Sequence, residues 1–174
     1  LLHTWSLGIE GQFYLFFPLI FLLFKKKNNQ LFIILLFFSL SFASALYFSN
    51  NNISFNFYST FSRIWELLLG SIIFFLPKYK NLSKILTNII SFLCIFLILF
   101  SIIYFDETFS LPNQFSLIPC ISTAVLLYLS DCDNLVNKFL SQKILVKIGL
   151  ISYSIYLLHQ PIFSFYRNVF ELET

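Results

Sequence analysis

The stretch HTWSLGIEGQFYLFFPLIFLLFKKK, residues 3–27, runs from hydrogen-bonding side chains into an apolar block and stops on three lysines. From Trp5 to Phe24 it has about the 20 residues an α-helix needs to cross a bilayer's hydrocarbon. The rest of the chain repeats the pattern. Hydrophobic residues make up 58% of the 174 and charged ones only 11%, against roughly a quarter charged in a soluble domain. With mean hydropathy at +0.82, too little polar surface remains to cover a water-soluble core. The composition implies an integral membrane protein and excludes a soluble globular enzyme. The 25 phenylalanines read as compositional bias rather than as a functional signal.

Hydropathy predicts an all-α, multi-pass transmembrane bundle of about six spans: Trp5–Phe24, Leu31–Phe48, Arg63–Leu76, Ile85–Phe105, Phe115–Ser130 and Lys147–Phe170. The third is short and is expected to continue back into Ser59–Ser62. Lys25, Lys26 and Lys27 follow the first span, Lys78, Lys80 and Lys84 follow the third, and Lys138, Lys143 and Lys147 precede the sixth. The alternate connections hold Asp106, Glu107, Glu171 and Glu173 and no lysine. The positive-inside rule then places both ends of the chain outside the cytoplasm. Cys94, Cys120 and Cys132 have neither metal-ligand spacing nor an even count, so neither a zinc site nor a disulfide framework is expected. With no methionine and an abrupt final ELET, the chain is expected to be one stretch of a longer protein, residues 1–174 forming part of a single membrane domain.

Ionisable groups inside a membrane are costly and mark functional sites by default. Counted from the nearest lysine at 1.5 Å per residue, Glu10 and Arg63 lie about 22 Å up, and Glu66 and His159 about 18 Å. Three helices therefore bring charge to one layer. Positions three and four apart share a helix face. This predicts polar stripes of His3, Ser6, Glu10 and Tyr14 on the first helix, and Arg63 and Glu66 on the third, with Gly70 beyond them as a point of close backbone approach. The sixth helix carries Ser152, Tyr156 and His159, closed by Pro161. Glu10, Glu66 and His159 are the candidate acid–base groups around a shared chamber; His3, Arg63, Tyr156 and Ser152 are the candidate substrate contacts. Other readings fit some of the same residues. Arg63 and Glu66 suit a structural ion pair, and Ser152, Tyr153 and Ser154 suit interhelical glue. Trp5, Tyr14 and Tyr166 suit an interfacial aromatic belt, and His3 suits a solvated or capping residue. Nothing fixes ligand spacing among His3, Glu10, Glu66 and His159, so no metal site is expected.

Three stretches, HTWSLGIEGQFYLFFP, STFSRIWELLLG and IGLISYSIYLLHQP, together resemble the signature segments of the membrane acyltransferase-3 family. The pattern is similar to H-x-W-S-L-x-x-E-x-Q-F-Y, then R-x-W-E-L-x-x-G, then G-x-x-S-Y-S-x-Y-L-x-H-x-P. It is met by His3, Trp5, Ser6, Leu7, Glu10, Gln12, Phe13 and Tyr14, by Arg63, Trp65, Glu66, Leu67 and Gly70, and by Gly149, Ser152, Tyr153, Ser154, Tyr156, Leu157, His159 and Pro161. Gly11 departs from it, since many members carry a second acidic residue there.

The resemblance implies a bacterial plasma-membrane enzyme of about ten helices. It would move an acyl group, commonly acetyl, from cytoplasmic acyl-CoA to a hydroxyl of a cell-surface or exported glycan. Acyl-CoA is a co-substrate here, with no bound cofactor. The implied partners are acyl-CoA, a glycan or lipid-linked saccharide acceptor, and membrane lipids, with no nucleic acid. The third segment looks most like the subgroup whose membrane domain is followed by an SGNH-hydrolase-like domain. The family's proposed catalytic histidine lies on a helix outside these residues, so Glu10, Glu66 and His159 inherit supporting roles, and the 174 residues alone are expected to be catalytically silent. Two rival classes also want intramembrane charge. A secondary transporter or flippase would show paired Gly/Pro-broken helices in corresponding halves, which are not apparent; the other rival is a non-enzymatic subunit of a polysaccharide export system.

Overall fold

Phe24 closes the first helix by donating its N–H to the Ile20 carbonyl at 3.0 Å. Gln30 then reaches back across the lysines and donates from Nε2 to the Phe24 carbonyl at 2.5 Å. The computed structural model describes residues 5–77, 82–105 and 112–170, with side chains up to 167. Its helices are α1 (Trp5–Leu23), α2 (Lys27–Asn51), α3 (Ile53–Tyr58), α4 (Thr60–Phe75), α5 (Lys84–Tyr104), α6 (Leu117–Tyr128), α7 (Leu135–Leu140) and α8 (Lys143–Phe170), with a 3₁₀ turn at Gln114–Ser116 leading into α6. Among the described residues there is no strand.

Among the described residues three helices, α1, α2 and α5, are long and apolar enough to cross a membrane, and Gln114–Tyr128 is a shorter apolar helix. α4 has 16 residues, or about 24 Å of rise. Hydropathy marks where side chains turn apolar, whereas helices continue through polar ends. α2 accordingly starts at Lys27 rather than Leu31, and α8 at Lys143 rather than Lys147. α8 also continues through Pro161. Two short helices lie where loops are expected. Asn52 starts α3 by accepting from the Phe55 N–H at 3.0 Å, and Asn134 starts α7 by accepting from the Asn137 N–H at 2.7 Å. Both are side-chain N-caps of the ordinary kind.

Much of what is buried is small or polar, namely Ser41, Ala45, Ser49, Asn56, Ser62, Thr87, Ser91, Ser101, Ser122 and Ala124, beside a few large apolar side chains such as Ile34, Trp65 and Leu68. What is exposed is large and apolar, as with Leu23, Phe32, Phe61, Ile85, Ile103 and Leu150, each at least two-thirds bare. That inversion suits hydrocarbon, where burying leucine gains nothing over lipid contact and close approach of helices decides packing.

α4 is the hub, packing on α1, α2, α3 and α6, while α5 packs on α6 and α7. The most extensive pairing is α2 on α4. Ser41, Ala45 and Ser49 recur every fourth residue on the buried face of α2, the spacing that lets helices approach closely. Here Ser41 Oγ donates to the Phe61 carbonyl at 2.7 Å and accepts from the Trp65 N–H at 3.0 Å. Ser44 Oγ reaches the same carbonyl at 3.0 Å. Lower down, Phe13, Ile34 and Leu68 join α1, α2 and α4 into an apolar cluster.

The lysine-bearing connections share one end of the bundle. Phe21, near the end of α1, stacks on Phe75 at the end of α4 with ring centroids 6.4 Å apart. Lys84 at the start of α5 reaches Asp133 at 3.0 Å, as does Lys138, and Tyr128 donates to the Pro77 carbonyl. Lys78, Lys80, Asp106, Glu107, Glu171 and Glu173 lie outside the described residues. Gly70 is not a close-approach point, since a Cβ added there meets nothing within 4 Å. The close approach belongs to Ser41 and Ala45 instead.

Candidate functional site

Arg63 sits in the first turn of α4 and points its side chain back toward α3. Its Nε donates to the Phe57 carbonyl at 2.9 Å, an acceptor at the carbonyl-rich end of α3 where cations are favoured. Its guanidinium carbon lies 4.8 Å from the Trp5 ring centroid and 4.7 Å from that of Phe57. The two rings are themselves 4.6 Å apart at 48°. These three distances form a nearly equilateral triangle, so the cation occupies the open side of an aromatic wedge rather than a sandwich. Such contacts contribute about 0.5–2 kcal/mol each, according to how far they are desolvated. Nη1 lies 3.9 Å from Glu66 Oε2, with the two side chains 19% and 29% exposed. The expected ion pair is present, in a setting more shielded than an ordinary surface pair.

Glu66 then borders a cleft between α4 and α6. The cleft is about 240 Å³ and is lined by Glu66, Gly70, Pro119, Cys120, Thr123, Ala124 and Leu127. Apart from Glu66, the walls offer one thiol and one hydroxyl. The Thr123 hydroxyl already donates to the Pro119 carbonyl at 2.8 Å. The space is below the roughly 300–1,000 Å³ of drug-sized sites and suits a small group rather than a whole coenzyme or sugar chain.

Ser6 Oγ on α1 and Tyr156 OH on α8 are 2.7 Å apart. This bond joins α8 to α1. His159 is half-buried, with Nδ1 2.5 Å from the Tyr156 carbonyl and its ring 5.4 Å from the Tyr156 ring. Trp5 and Ser6, adjacent at the start of α1, thus link Arg63 on α4 to Tyr156 on α8.

The structure therefore joins Arg63 to Glu66, and Tyr156 to the first helix. Neither Glu10 nor His159 lines the α4–α6 cleft that Glu66 borders. Glu10 is half-buried on α1 and makes no hydrogen bond or ion pair among the described residues. Ser152 is exposed and donates to the Gly149 carbonyl of its own helix at 2.7 Å, so it bridges no helices there. Tyr14 is 67% exposed. His3 lies outside the described residues. Among the described residues no three His, Cys, Asp or Glu side chains gather as a metal-ligand set.

Sequence reasoning misses Trp5 and Phe57 as neighbours of Arg63, because α3 must first fold back to bring Phe57 there. It also misses the Thr60 hydroxyl donating to Gln12 Oε1 at 2.7 Å, although Gln12 lies within the first motif.

The sequence profile of an acyltransferase domain of the acyltransferase-3 type matches residues 1–173. The chain belongs to the acyltransferase-3 family. O-acetyltransferase OatA of Staphylococcus aureus is 36% identical over 182 residues, which cover 97% of this chain and 30% of that protein. BcsY of Komagataeibacter xylinus, provisionally named a membrane-bound transacylase, is 29% identical over 160 residues, covering 92% of this chain and 40% of BcsY. The chain thus spans less than half the length of these relatives. No solved structure matches it. Trp5, Ser6, Arg63, Glu66 and Tyr156, which form the wedge contact, the ion pair and the Ser6–Tyr156 bond in this chain, are all positions of the three quoted segments, whereas Phe57 lies outside them.

Proposed function

We propose that this chain forms part of a membrane O-acyltransferase that moves an acyl group, acetyl in the simplest case, from cytoplasmic acyl-CoA to a hydroxyl of a cell-surface or exported glycan. The observation that carries the reading is the Arg63–Glu66 pair, 3.9 Å apart, beside a small cleft in a bundle whose sequence belongs to an acyltransferase family. In the transfer, the acceptor oxygen bonds to the thioester carbonyl carbon, the carbon–sulfur bond breaks, and CoA leaves as a thiol once it regains a proton. A base must take the hydroxyl proton, and fixed cationic or N–H groups must meet the developing oxyanion. Glu66 and Glu10 are suited to hold that proton and His159 to pass it on. Arg63 is suited to an anionic or carbonyl oxygen, and Tyr156, Ser152 and His3 to acceptor hydroxyls.

The lysine-bearing end then faces the cytoplasm and the start of α1 faces outward, in a bacterial plasma membrane. The test uses inside-out vesicles from cells making the intact gene product, with radiolabelled acetyl-CoA outside and envelope glycan recovered from the lumen. Label in the glycan, reduced about 10²–10⁴-fold by Glu66→Gln, is the expected result. A glycan without label, or a Glu66→Gln variant as active as wild type, would overturn the proposal.

A further inference from the structure

Trp5 fits an interfacial belt on sequence grounds, yet its indole lies between other side chains. Its ring is 4.6 Å from that of Phe57, 5.5 Å from that of Tyr58, and 4.8 Å from the Arg63 guanidinium carbon. Neither Trp5 nor Phe57 carries a group that the acyl transfer requires. We infer that Trp5 and Phe57 are positioning residues that fix the direction in which Arg63 presents its free N–H groups.

Guanidinium is planar and its five N–H donors form a rigid fork. Two kinds of contact fix such a plane. The bond from Nε to the Phe57 carbonyl, 2.9 Å, sets the rotation at the inner end. The two rings, at 4.8 and 4.7 Å, hold the outer end against the wedge. With Nε engaged, the Nη groups are what remains, and Nη1 is the one turned to Glu66 at 3.9 Å. That distance exceeds a hydrogen bond, so the pair leaves Nη1 with capacity for an oxygen between or beside the two charges. The ligand chemistry this suits is a carbonyl or anionic oxygen.

Phe57 is itself secured from below. Its neighbour Asn56, fully buried, donates from Nδ2 to the Pro112 carbonyl at 2.7 Å. That bond ties α3 to the segment preceding α6, whose residues form the far wall of the cleft. The wedge, Arg63, Glu66 and the cleft are thus one connected unit. Lysine at 63 would keep the charge and lose the fork; leucine at 5 would keep apolar bulk and lose the ring face.

The catalytic purpose of the wedge rests on the acyltransferase reading, so the test has two arms. In the intact protein in lipid vesicles, with acetyl-CoA as donor and envelope glycan as acceptor, Trp5→Leu should lower kcat/KM about ten- to a hundredfold, the cost of a misaimed group. Trp5→Phe should recover most of that loss. Equal losses in the two variants, or none in Trp5→Leu, would overturn the positioning role. The second arm needs no turnover. In fluorine NMR of fluorotryptophan-labelled protein, the resonance absent from Trp5→Phe belongs to Trp5. It should move in both Arg63→Met and Phe57→Leu. A Trp5 resonance indifferent to Arg63→Met overturns the wedge whatever the activity. A resonance that moves while wild-type protein transfers no acetyl supports the wedge and overturns the acyltransferase reading alone.

Discussion

Ser41→Leu tests the claim that α2 and α4 are held by small-residue contact rather than by apolar bulk. Ser41 is 6% exposed. Its hydroxyl donates to the Phe61 carbonyl at 2.7 Å and accepts from the Trp65 N–H at 3.0 Å. Interhelical hydrogen bonds in membranes contribute about 0.6 kcal/mol on average and about 1.7 at most. Forcing extra methylenes into a filled site adds about 1–3 kcal/mol. The expected loss is therefore about 2–4 kcal/mol. Ser39→Leu is the matched control, because Ser39 is exposed on the same helix and its hydroxyl turns back to the Leu35 carbonyl at 2.8 Å. That substitution should stay within about 0.5 kcal/mol of wild type. Ser41→Ala, which loses the bonds without the bulk, should fall between the two. Denaturant titration of the purified protein in mixed micelles, followed by circular dichroism, reads all three. Equal stability of the Ser41→Leu and Ser39→Leu proteins would refute the reasoning.

The Arg63–Glu66 pair should show coupling in a double-mutant cycle: Arg63→Ala and Glu66→Ala together cost less than their sum, by about 0.5–3 kcal/mol, and additivity within about 0.5 would dissolve the pair. Asn56→Ala should cost about 1–3 kcal/mol in the same titration by orphaning the Pro112 carbonyl, and a wild-type midpoint would count against the α3 anchor. Asp133 should make stability acid-dependent: its hydrogen bonds to Lys138 and then Lys84 hold its carboxyl below the usual carboxylate range. The contribution is complete above the unfolded value of about pH 4 and disappears as pH falls through the lower folded one. Asp133→Asn should flatten the midpoint-versus-pH curve below about pH 4, and an unchanged acid slope would remove Asp133 as its cause.

Helices are legible in this sequence because lipid leaves the backbone no other partner, so each long apolar run had to close its own hydrogen bonds. The two six-residue helices escape a hydropathy window, although their Asn52 and Asn134 caps are ordinary helix-start signals. The Ser41/Ala45/Ser49 stripe is equally regular, but it sits inside a phenylalanine-rich run that draws attention to bulk. Of the site, the relations within one helix were the readable ones. Arg63 and Glu66 are three apart on α4, and their pairing follows from helical geometry alone. Counting residues from the lysines gives depth, at 1.5 Å each, but depth says nothing about rotation. Which way Glu10, Glu66 or His159 turns around its helix axis is set by what the opposite face packs against. On α1 that face is Ile9 and Phe13. On α4 it is Ser62, Trp65 and Leu68, which sends Glu66 toward α6. α8 makes the point most sharply. Its three expected site residues share one stripe, yet Tyr156 bonds to Ser6 while Ser152 turns back on its own helix. A stripe shows that polar groups share a face; only a partner helix decides which of them meet anything.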